Sequence, residues 1–565
     1  MKDILKEYLV GLKEDKELDA FCKELLISRN FVPLTKIQKG RQYGVDLAAI
    51  GQDNDGVRKI FLLVIKQGDL TRKIWDGGNV NDVRPSLEEI KDVFLRNGIS
   101  SNHKHLPIKI IVCFNGEFEN ALLQNWNGYI EANTTDSISY HYWHIDELVQ
   151  QAVTYQAQEE LLPYDLSLKF RRVLAFIDLP DYPLNHLTDF ISVLLIEDKK
   201  LTEKEILKKL RLVNLCISII TSWCRNSKNL KPSFYSIERI LLYTFRWIYT
   251  SEYNNKKSVQ KTIYDLLQNW RTHNWYYTNN IGNFVLAPDG LSYGIPNHNE
   301  YCLVTFEQIG IFGLIGMYEI WECKMANAIT SVETIEYAKV AMQNAEIIAN
   351  MLAQIIKNNP SSKNVKYDEH CIDINLALML FYEVGLYQVA TEWLNELVTR
   401  LFMGVQMNGV IPTRDALPEK IDERNVHTQK LSHYIYFLLE WCLILKQDQL
   451  YDELSSFITE KLPEINLQLW FPDEEVESKI YTEEASHLCG TTMISLIAPK
   501  NYLELEMTIK EEQIYLCKEN EFKFIKDGFD FIPLMASRHY RTYPFPNSWR
   551  KYLGSRFCFN KPTDN

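Results

Sequence analysis

The stretch QYGVDLAAIGQDNDGVRKIFLLVIKQGD, residues 42–69, decides how the N-terminal part of this chain folds. Two apolar runs, VDLAAIGQ and KIFLLVIKQG, are separated by a polar turn, DNDG. Apolar runs joined by a short Asp/Asn/Gly turn are typical of a β-hairpin. We therefore expect two neighbouring strands, with Asp46 at the start of the first and Lys66 at the end of the second.

Helices and strands alternate on both sides of this hairpin. Apolar residues at helical spacing precede it over residues 4–30, and a second helix is predicted over Pro85–Asn97, where proline suits the first turn. Further strands are predicted at LPIKIIVCFNG, residues 106–116, and SISYHYWHI, residues 137–145. This order predicts an α/β domain over residues 1–158, built as a mixed sheet flanked by helices.

From residue 161 onward, long helical patterns replace the strands. We expect a large, mostly α-helical region, divided into a helical domain at 159–300 and a repeat-like C-terminal region at 301–565. The segment ALMLFYEVGLYQVATEWLNELV, residues 377–398, resembles one tetratricopeptide-type helical hairpin with Gly385 at its turn. No clean repeat period follows it, so an irregular α-solenoid that is partly tetratricopeptide-like is the favoured description.

The composition indicates a packed protein with an acidic surface. The chain is 46% hydrophobic and 24% charged, and its net charge is -13. Such a balance argues against broad, non-specific DNA binding by the whole surface, but it leaves room for one basic groove. The 11 cysteines show no CxxC pair and no zinc-ligand spacing, so buried, reduced thiols are expected.

A cytoplasmic location is expected from the apolar segments. The N-terminal residues are charged and lack the apolar stretch of a signal peptide. The most apolar long window, residues 304–325, carries four charged side chains, and its uninterrupted part spans only residues 309–318. A bilayer needs about 20 apolar residues, so we predict a buried helix and no membrane span.

Asp46 and Lys66 are the candidate catalytic residues. Magnesium-dependent phosphodiester hydrolysis uses carboxylate oxygens to hold the cation. It also uses a positive charge near the attacking water and the developing charge on phosphorus. An aspartate at the start of one strand and a lysine at the end of its neighbour reach the same edge of the sheet, which suits both needs.

The N-terminal domain resembles the PD-(D/E)XK restriction-endonuclease family, particularly its Mrr-like branch. The features that carry the resemblance are Asp46 and Lys66, the preceding helix DAFCKELLISRNF and the later strands. The resemblance covers the N-terminal domain only, over about 150 residues. It implies a Mg²⁺- or Mn²⁺-dependent endonuclease acting on DNA. In that scheme Asp46 binds the metal, Lys66 positions the water or stabilises the phosphorane, and Gln67 orients the substrate.

The sequence departs from the family pattern at Val64, where the acid of the (D/E)XK step should stand. In one interpretation the acid has migrated to another segment. The predicted metal site then consists of Asp46, Asp69 and Glu24. Further candidates for the missing acid are Asp76, Glu88 and Glu89. In a second interpretation the domain is a degenerate nuclease that binds without cutting. In a third, Asp46 and Lys66 are ordinary residues of a hairpin.

Basic residues flank the candidate site on both sides. Lys39 and Arg41 precede Asp46, while Arg72 and Lys73 follow Lys66 beside Trp75. Cationic and aromatic side chains together suit a nucleic-acid backbone, although a solvated loop has the same composition. We predict that the first four contact nucleic acid. The C-terminal RHYRTYPFPNSWRKYL, residues 538–553, is expected to pack with its charges outward.

The sequence therefore favours a metal-dependent DNA endonuclease joined to a helical sensing or assembly region. That region is expected to bind a protein partner or to self-associate. A role as a prokaryotic defence or mobile-element effector follows by analogy of architecture. The alternative is a non-catalytic interaction or scaffold protein with a degenerate nuclease-like domain.

Overall fold

The computed structural model describes most of the chain and divides it into two compact units. The described residues are 2–34, 43–155, 162–177, 179, 182–196, 201–295, 297–329, 331–412, 431–472, 476–484, 491–495, 502–515 and 522–553. The first unit comprises Met1–Ile240 and Tyr253–Trp270, and the second comprises Leu241–Glu252 and Arg271–Asn565. The domain boundaries predicted near residues 158 and 300 stay predictions.

The first unit begins with an α/β part and continues with helices. Its strands are β1 Val32–Pro33, β2 Leu47–Gln52, β3 Arg58–Lys66, β4 Ile108–Phe114 and β5 Ile138–Trp143. The helices of the α/β part are α1 Lys2–Val10, α2 Asp19–Ser28, α3 Arg72–Asp76, α4 Val83–Glu89, α5 Leu95–Asn97, α6 Leu123–Asn133 and α7 Ile145–Tyr155. The helices that follow are α8 Tyr164–Ile177, α9 Asn185–Leu194, α10 Glu203–Asn226, α11 Lys231–Thr250 and α12 Lys257–Val285, the last two crossing the division between units.

The five strands form one mixed sheet in the order β1-β2-β3-β4-β5. The first three are antiparallel, and β3, β4 and β5 run parallel. The predicted hairpin is confirmed, with Leu47 opposite Leu63 and Gln52 opposite Arg58. The coarse prediction of an α/β part followed by a mostly helical region is confirmed as well.

Both faces of the sheet are buried, which explains why its central strands read as continuous apolar runs. On one face, Val64 of β3 belongs to a core that includes Trp75 and Trp126. On the other face, Phe61 meets Phe31 edge-to-face, with ring centroids 4.6 Å apart. In the central strands β2, β3 and β4, charged and amide side chains therefore lie near the strand ends, where a site can form.

The second unit is helical but also holds a small sheet. Its helices are α13 His298–Asn327, α14 Val332–Asn358, α15 Cys371–Glu383, α16 Tyr387–Asn408, α17 His433–Ile444, α18 Asp448–Lys461, α19 Val476–Lys479, α20 Tyr502–Tyr515, α21 Lys523–Lys526, α22 Ile532–Tyr540 and α23 Asn547–Arg550. Its strands are β6 Leu431–Ser432, β7 Asn466–Phe471 and β8 Thr491–Ser495. The sequence predicted a mostly helical region but no strands at these positions, so the small sheet is an addition to that prediction.

Helix α13 meets the length and hydropathy of a membrane span, since it is 30 residues long with a mean hydropathy of 1.3 in its most apolar window. Within that window, 83% of the residues are buried inside the structure. A core helix passes the same test, and the burial agrees with the buried helix that the sequence predicts.

The C-terminal segment packs with its arginines inward, so the prediction of outward charges is wrong. The side chain of Arg550 is fully buried between the carboxylates of Glu440 and Glu512. Arg541 makes a bidentate pair with buried Asp373, at 3.0 and 2.9 Å. These carboxylates come from distant parts of the chain, which is why the local sequence did not reveal them.

Candidate functional site

Asp46 lies just before β2 and closes the end of the hairpin. Its backbone N–H donates to the Leu63 carbonyl at 2.9 Å, and its Oδ2 accepts a hydrogen bond from the Ile65 N–H at 2.6 Å. Burial raises the pKa of the Asp46 carboxyl above its ordinary value, although the Ile65 N–H and the Lys66 charge act in the opposite direction. Nearby Glu14 and Asp19 add to the rise. Asp46 is thus a partly desolvated carboxylate in an acidic neighbourhood.

Gly44 permits this position of Asp46. Its φ of +78° lies in the left-handed region, and a Cβ there would stand 2.2 Å from the Ser86 carbonyl oxygen of α4. Any side chain would therefore meet both backbone strain and a collision. Helix α4 passes close to the chain just before β2, and only glycine accommodates that approach.

Lys66, the last residue of β3, reaches the same edge of the sheet and pairs with Glu14. The Lys66 Nζ lies 3.1 Å from Glu14 Oε1, and the lysine side chain is only 12% exposed. The second oxygen of Glu14 accepts from the Gln67 N–H at 3.3 Å. Because Glu14 also acts on the pKa of Asp46, two carboxylates and one ammonium share this edge.

The glutamate comes from the turn Glu14–Leu18 between α1 and α2. Lys16 in this turn has a φ of +70°, a conformation that non-glycine residues seldom adopt. Backbone held in such sparsely populated regions is often found at functional sites. The acid-rich EDKEL was the available sequence signal, but nothing in it pointed to Lys66.

Asn115 braces the two segments that carry Glu14 and Lys66. Its fully buried amide nitrogen donates to the carbonyls of Leu9 at 2.7 Å and Leu12 at 2.9 Å, at the end of α1. Its Oδ1 accepts from the Gly68 N–H at 2.7 Å, two residues after Lys66. One side chain thus fixes the end of the first helix against the turn that follows β3.

Val64 supplies no oxygen to this edge. Since Leu47 pairs with Leu63, Val64 lies beside the start of β2, where the family pattern places its acid. The side chain is fully buried in the core that contains Trp75. A carboxylate at this position would be enclosed by apolar groups in the present packing.

Among the described contacts, four other candidate acids form no hydrogen bond or ion pair with Lys66. Glu24 is exposed on α2. Asp69 is exposed in the turn after β3, and its Oδ1 accepts from the Glu117 N–H at 2.8 Å. Asp76 forms a 2.9 Å ion pair with Arg84, and Glu88 pairs with Lys91 at the same distance. Half-buried Glu14, which the sequence did not single out, is the carboxylate that pairs with Lys66.

The predicted nucleic-acid contacts are described only in part. Arg72 and Lys73 are exposed on α3, and the Arg72 N–H donates to Glu119 Oε2 at 2.9 Å. Trp75 is only 2% exposed and packs edge-to-face on Trp126, so it offers no stacking surface to a base. Lys39 and Arg41 lie outside the described residues.

A second polar cluster lies at the ends of β4 and β5. One ligand atom each of Glu117, His144 and Asp146 falls within 4.8 Å of the others, a spacing that could hold a metal ion. The Lys6 ammonium pairs with Glu117 at 3.0 Å and with Asp146 at 2.8 Å. Hydrogen bonds to Asp146 and Glu117 raise the pKa of Lys6, so a cation already balances these carboxylates.

Asp53, at the opposite edge of the sheet, is the centre of a structural ion-pair network. Its Oδ2 lies 2.9 Å from Lys59 and 3.0 Å from Lys109. Burial alone would raise the pKa of Asp53, but the hydrogen bonds from the two lysines outweigh burial and hold the pKa at about 2. Partial desolvation beside them, together with the Lys109 charge, lowers the pKa of His141.

Comparisons with family models, with curated proteins and with solved structures found no match for this chain. Asp46, Lys66 and Glu14, at one edge of the mixed sheet, are the candidate functional site.

Proposed function

We propose that the N-terminal α/β part is a metal-dependent DNA endonuclease of the PD-(D/E)XK type, with Asp46, Lys66 and Glu14 as its active site. The observation that supports it most is the ion pair between Glu14 and Lys66 beside partly buried Asp46. Two carboxylates and an ammonium at the ends of adjacent strands match the needs of phosphodiester hydrolysis.

In this proposal Asp46 and Glu14 would hold Mg²⁺ or Mn²⁺, which supplies positive charge to the scissile phosphate and its attacking water. The Lys66 ammonium orients the water and stabilises the charge that develops on phosphorus. The Gln67 side chain, exposed at the end of β3, orients the substrate backbone. Glu14 replaces the acid that Val64 lacks.

The electrostatics of Asp46 are consistent with a cation-binding role. A carboxyl whose pKa is raised by burial and by neighbouring acids gains charge stabilisation when a cation arrives. Cation binding then releases the proton from any protonated fraction. Exposed Arg72 and Lys73 offer phosphate contacts near the end of β3, in a chain whose net charge is otherwise -13.

A non-catalytic interaction protein is the second candidate. It is favoured by the burial of Val64 and by the Glu14 carboxylate, which already neutralises Lys66. In that case the α/β part docks nucleic acid or protein, and the helical region binds a partner or self-associates. The solenoid architecture, the cytoplasmic location and the defence or mobile-element role stay predictions under both candidates.

Cleavage of supercoiled plasmid and linear duplex DNA by the full chain, with Mg²⁺ or Mn²⁺, tests the proposal. Asp46→Ala and Lys66→Ala should each lower the rate on the order of 100-fold or more, and EDTA should abolish it. Asp136→Ala and Lys104→Ala, both at exposed positions, are the matched controls and should cleave like wild type. Metal-dependent cleavage that is equal in all five proteins, or none in the wild type, would reject the nuclease. DNA binding without cleavage would favour the second candidate.

A further inference from the structure

The second unit contains a cavity of about 780 Å³ that the nuclease proposal does not use. It is lined by the start of α13, the chain around residues 363–366, the end of α16 and the start of α17. Small-molecule sites in proteins typically enclose about 300–1,000 Å³. The cavity is therefore large enough for an organic ligand rather than for a single ion.

The lining of this cavity is basic. Lys363, Lys366 and Arg400 contribute positive charge, and no aspartate or glutamate is among the lining residues that the structure describes. Lys363 pairs with Glu396, which lies outside the lining, while exposed Arg400 has no ion pair within the described part of the chain. In a protein of net charge -13, such a concentration of cations favours an anionic ligand.

An unsatisfied hydroxyl belongs to the same lining. Tyr434, at the start of α17, is only 1% exposed, and its Oη has no hydrogen-bond partner among the described residues. A buried hydroxyl without a partner is destabilising, so such groups in native proteins call for an explanation. A ligand oxygen would satisfy the hydroxyl.

We propose that this cavity binds a small organic molecule that carries phosphate. Lys366 and Arg400 hold the phosphate oxygens, with Lys363 at their side, and the Tyr434 hydroxyl donates a hydrogen bond to the ligand. The apolar lining residues Leu401 and Ile411 contact its organic part. This site is independent of the proposed nuclease centre, since none of its residues belongs to the α/β part.

Calorimetric titration of the full chain with ATP, inorganic triphosphate and adenosine, in a phosphate-free buffer without divalent cations, tests the proposal. ATP should bind and adenosine should not. Inorganic triphosphate distinguishes the contribution of the phosphate groups from that of the organic moiety. If triphosphate binds as tightly as ATP, the affinity comes from the phosphate groups alone. Weaker triphosphate binding assigns part of it to the organic moiety. Arg400→Gln and Lys366→Gln should each weaken ATP binding about 10-fold, while Lys339→Gln, an exposed control on α14, should not.

Tyr434→Phe separates binding from folding. Because the hydroxyl has no described partner, the variant should melt at or above the wild-type temperature without ligand, yet bind ATP about 5-fold more weakly. Lys66→Ala should bind ATP like wild type, which distinguishes this site from the nuclease centre. Absence of binding by both ATP and triphosphate at millimolar concentration, or equal binding by wild type, Arg400→Gln and Lys366→Gln, would overturn the proposal.

Discussion

Glu14 Oε1 lies 3.1 Å from Lys66 Nζ, across a sequence separation of 52 residues. The pair connects a turn between the first two helices to the last residue of the strand β3, and the same carboxylate accepts from the Gln67 N–H. A local pattern cannot encode this contact, because it exists only when the first helix is docked on the sheet. It places a carboxylate next to the lysine although position 64 carries none.

Replacement of Glu14 by glutamine distinguishes it from Glu24 as the missing acid. Glu14→Gln keeps the size of the side chain but removes the charge that would hold the cation. We expect metal-dependent DNA cleavage to fall on the order of 100-fold, with a higher Mg²⁺ concentration needed for half-maximal rate. Glu24→Gln, at an exposed position on α2, should leave both quantities unchanged. A larger loss of cleavage in Glu24→Gln than in Glu14→Gln would identify Glu24 as the metal-binding acid.

Asp46→Asn should stabilise the fold while it removes the proposed activity. The raised pKa means that folded Asp46 binds its proton more tightly than unfolded Asp46. Stability is therefore lost as the pH rises from the ordinary aspartate value of about 3.9 through the raised folded value. Asparagine can still accept from the Ile65 N–H, so we expect a higher melting temperature at pH 7 in EDTA.

This advantage of Asp46→Asn over wild type should shrink as the pH falls below about 4, where both forms are neutral. Thermal unfolding across that pH range measures it, and Asp136→Asn at an exposed site should melt like wild type throughout. A lower melting temperature for Asp46→Asn at pH 7 would show that its charge is compensated in the fold.

Asp53→Asn should destabilise the first unit at neutral pH. The substitution leaves Lys59 and Lys109, which are largely buried, without their shared counter-charge. We expect the free energy of unfolding to fall by about 3 kcal/mol, as for other broken buried pairs. Asp55→Asn removes an exposed partner of the same Lys59 and should change the free energy of unfolding much less, because water screens an exposed ion pair.

The effect of Asp53→Asn depends on pH in a defined direction. Because the folded pKa of Asp53 is lowered to about 2, its contribution is present above about pH 4 and is lost as the pH falls toward 2. Urea unfolding at several pH values should show wild type and variant converging over that window. A constant difference down to pH 2 would contradict the assignment.

Arg550→Met should destabilise the second unit strongly, because it leaves Glu440 and Glu512 buried without a cation. A loss of about 3–5 kcal/mol is expected for a single broken partner. The triple variant Arg550→Met, Glu440→Leu, Glu512→Leu should recover most of that loss, since apolar residues of similar volume can replace a buried ion network. Chemical denaturation of the three proteins measures this, and no recovery would mean that the charges hold the packing itself.

Much of the first unit could be predicted from local sequence. The hairpin follows from two apolar runs around DNDG, where Gly56 takes a φ of +79°, and strand geometry then brings Asp46 and Lys66 to one edge. The small sheet of β6, β7 and β8 could not be predicted. It pairs Leu431 with Asn466 and Leu467 with Ser495, contacts that depend on the folding of the intervening helices.

Side-chain direction was harder to predict than the elements themselves. Trp75 was grouped with Arg72 and Lys73 as a nucleic-acid surface, yet the short helix α3 turns it into the core while the two cations stay exposed. Arg550 was expected in solvent, but its acidic partners draw it inside. In both cases, tertiary contacts decide whether the side chain points inward, and sequence spacing alone cannot predict such contacts.

Asn115 has a consequence for anyone who wishes to redesign this edge of the sheet. Its amide joins the end of α1 to Gly68, two residues after Lys66, through three hydrogen bonds. A mutant library that varies the acids and the lysine should keep this asparagine fixed. Without it, the end of α1 and the turn after β3 would lose the hydrogen bonds that join them. Differences in activity between variants would then reflect a changed backbone as well as the changed acids and lysine.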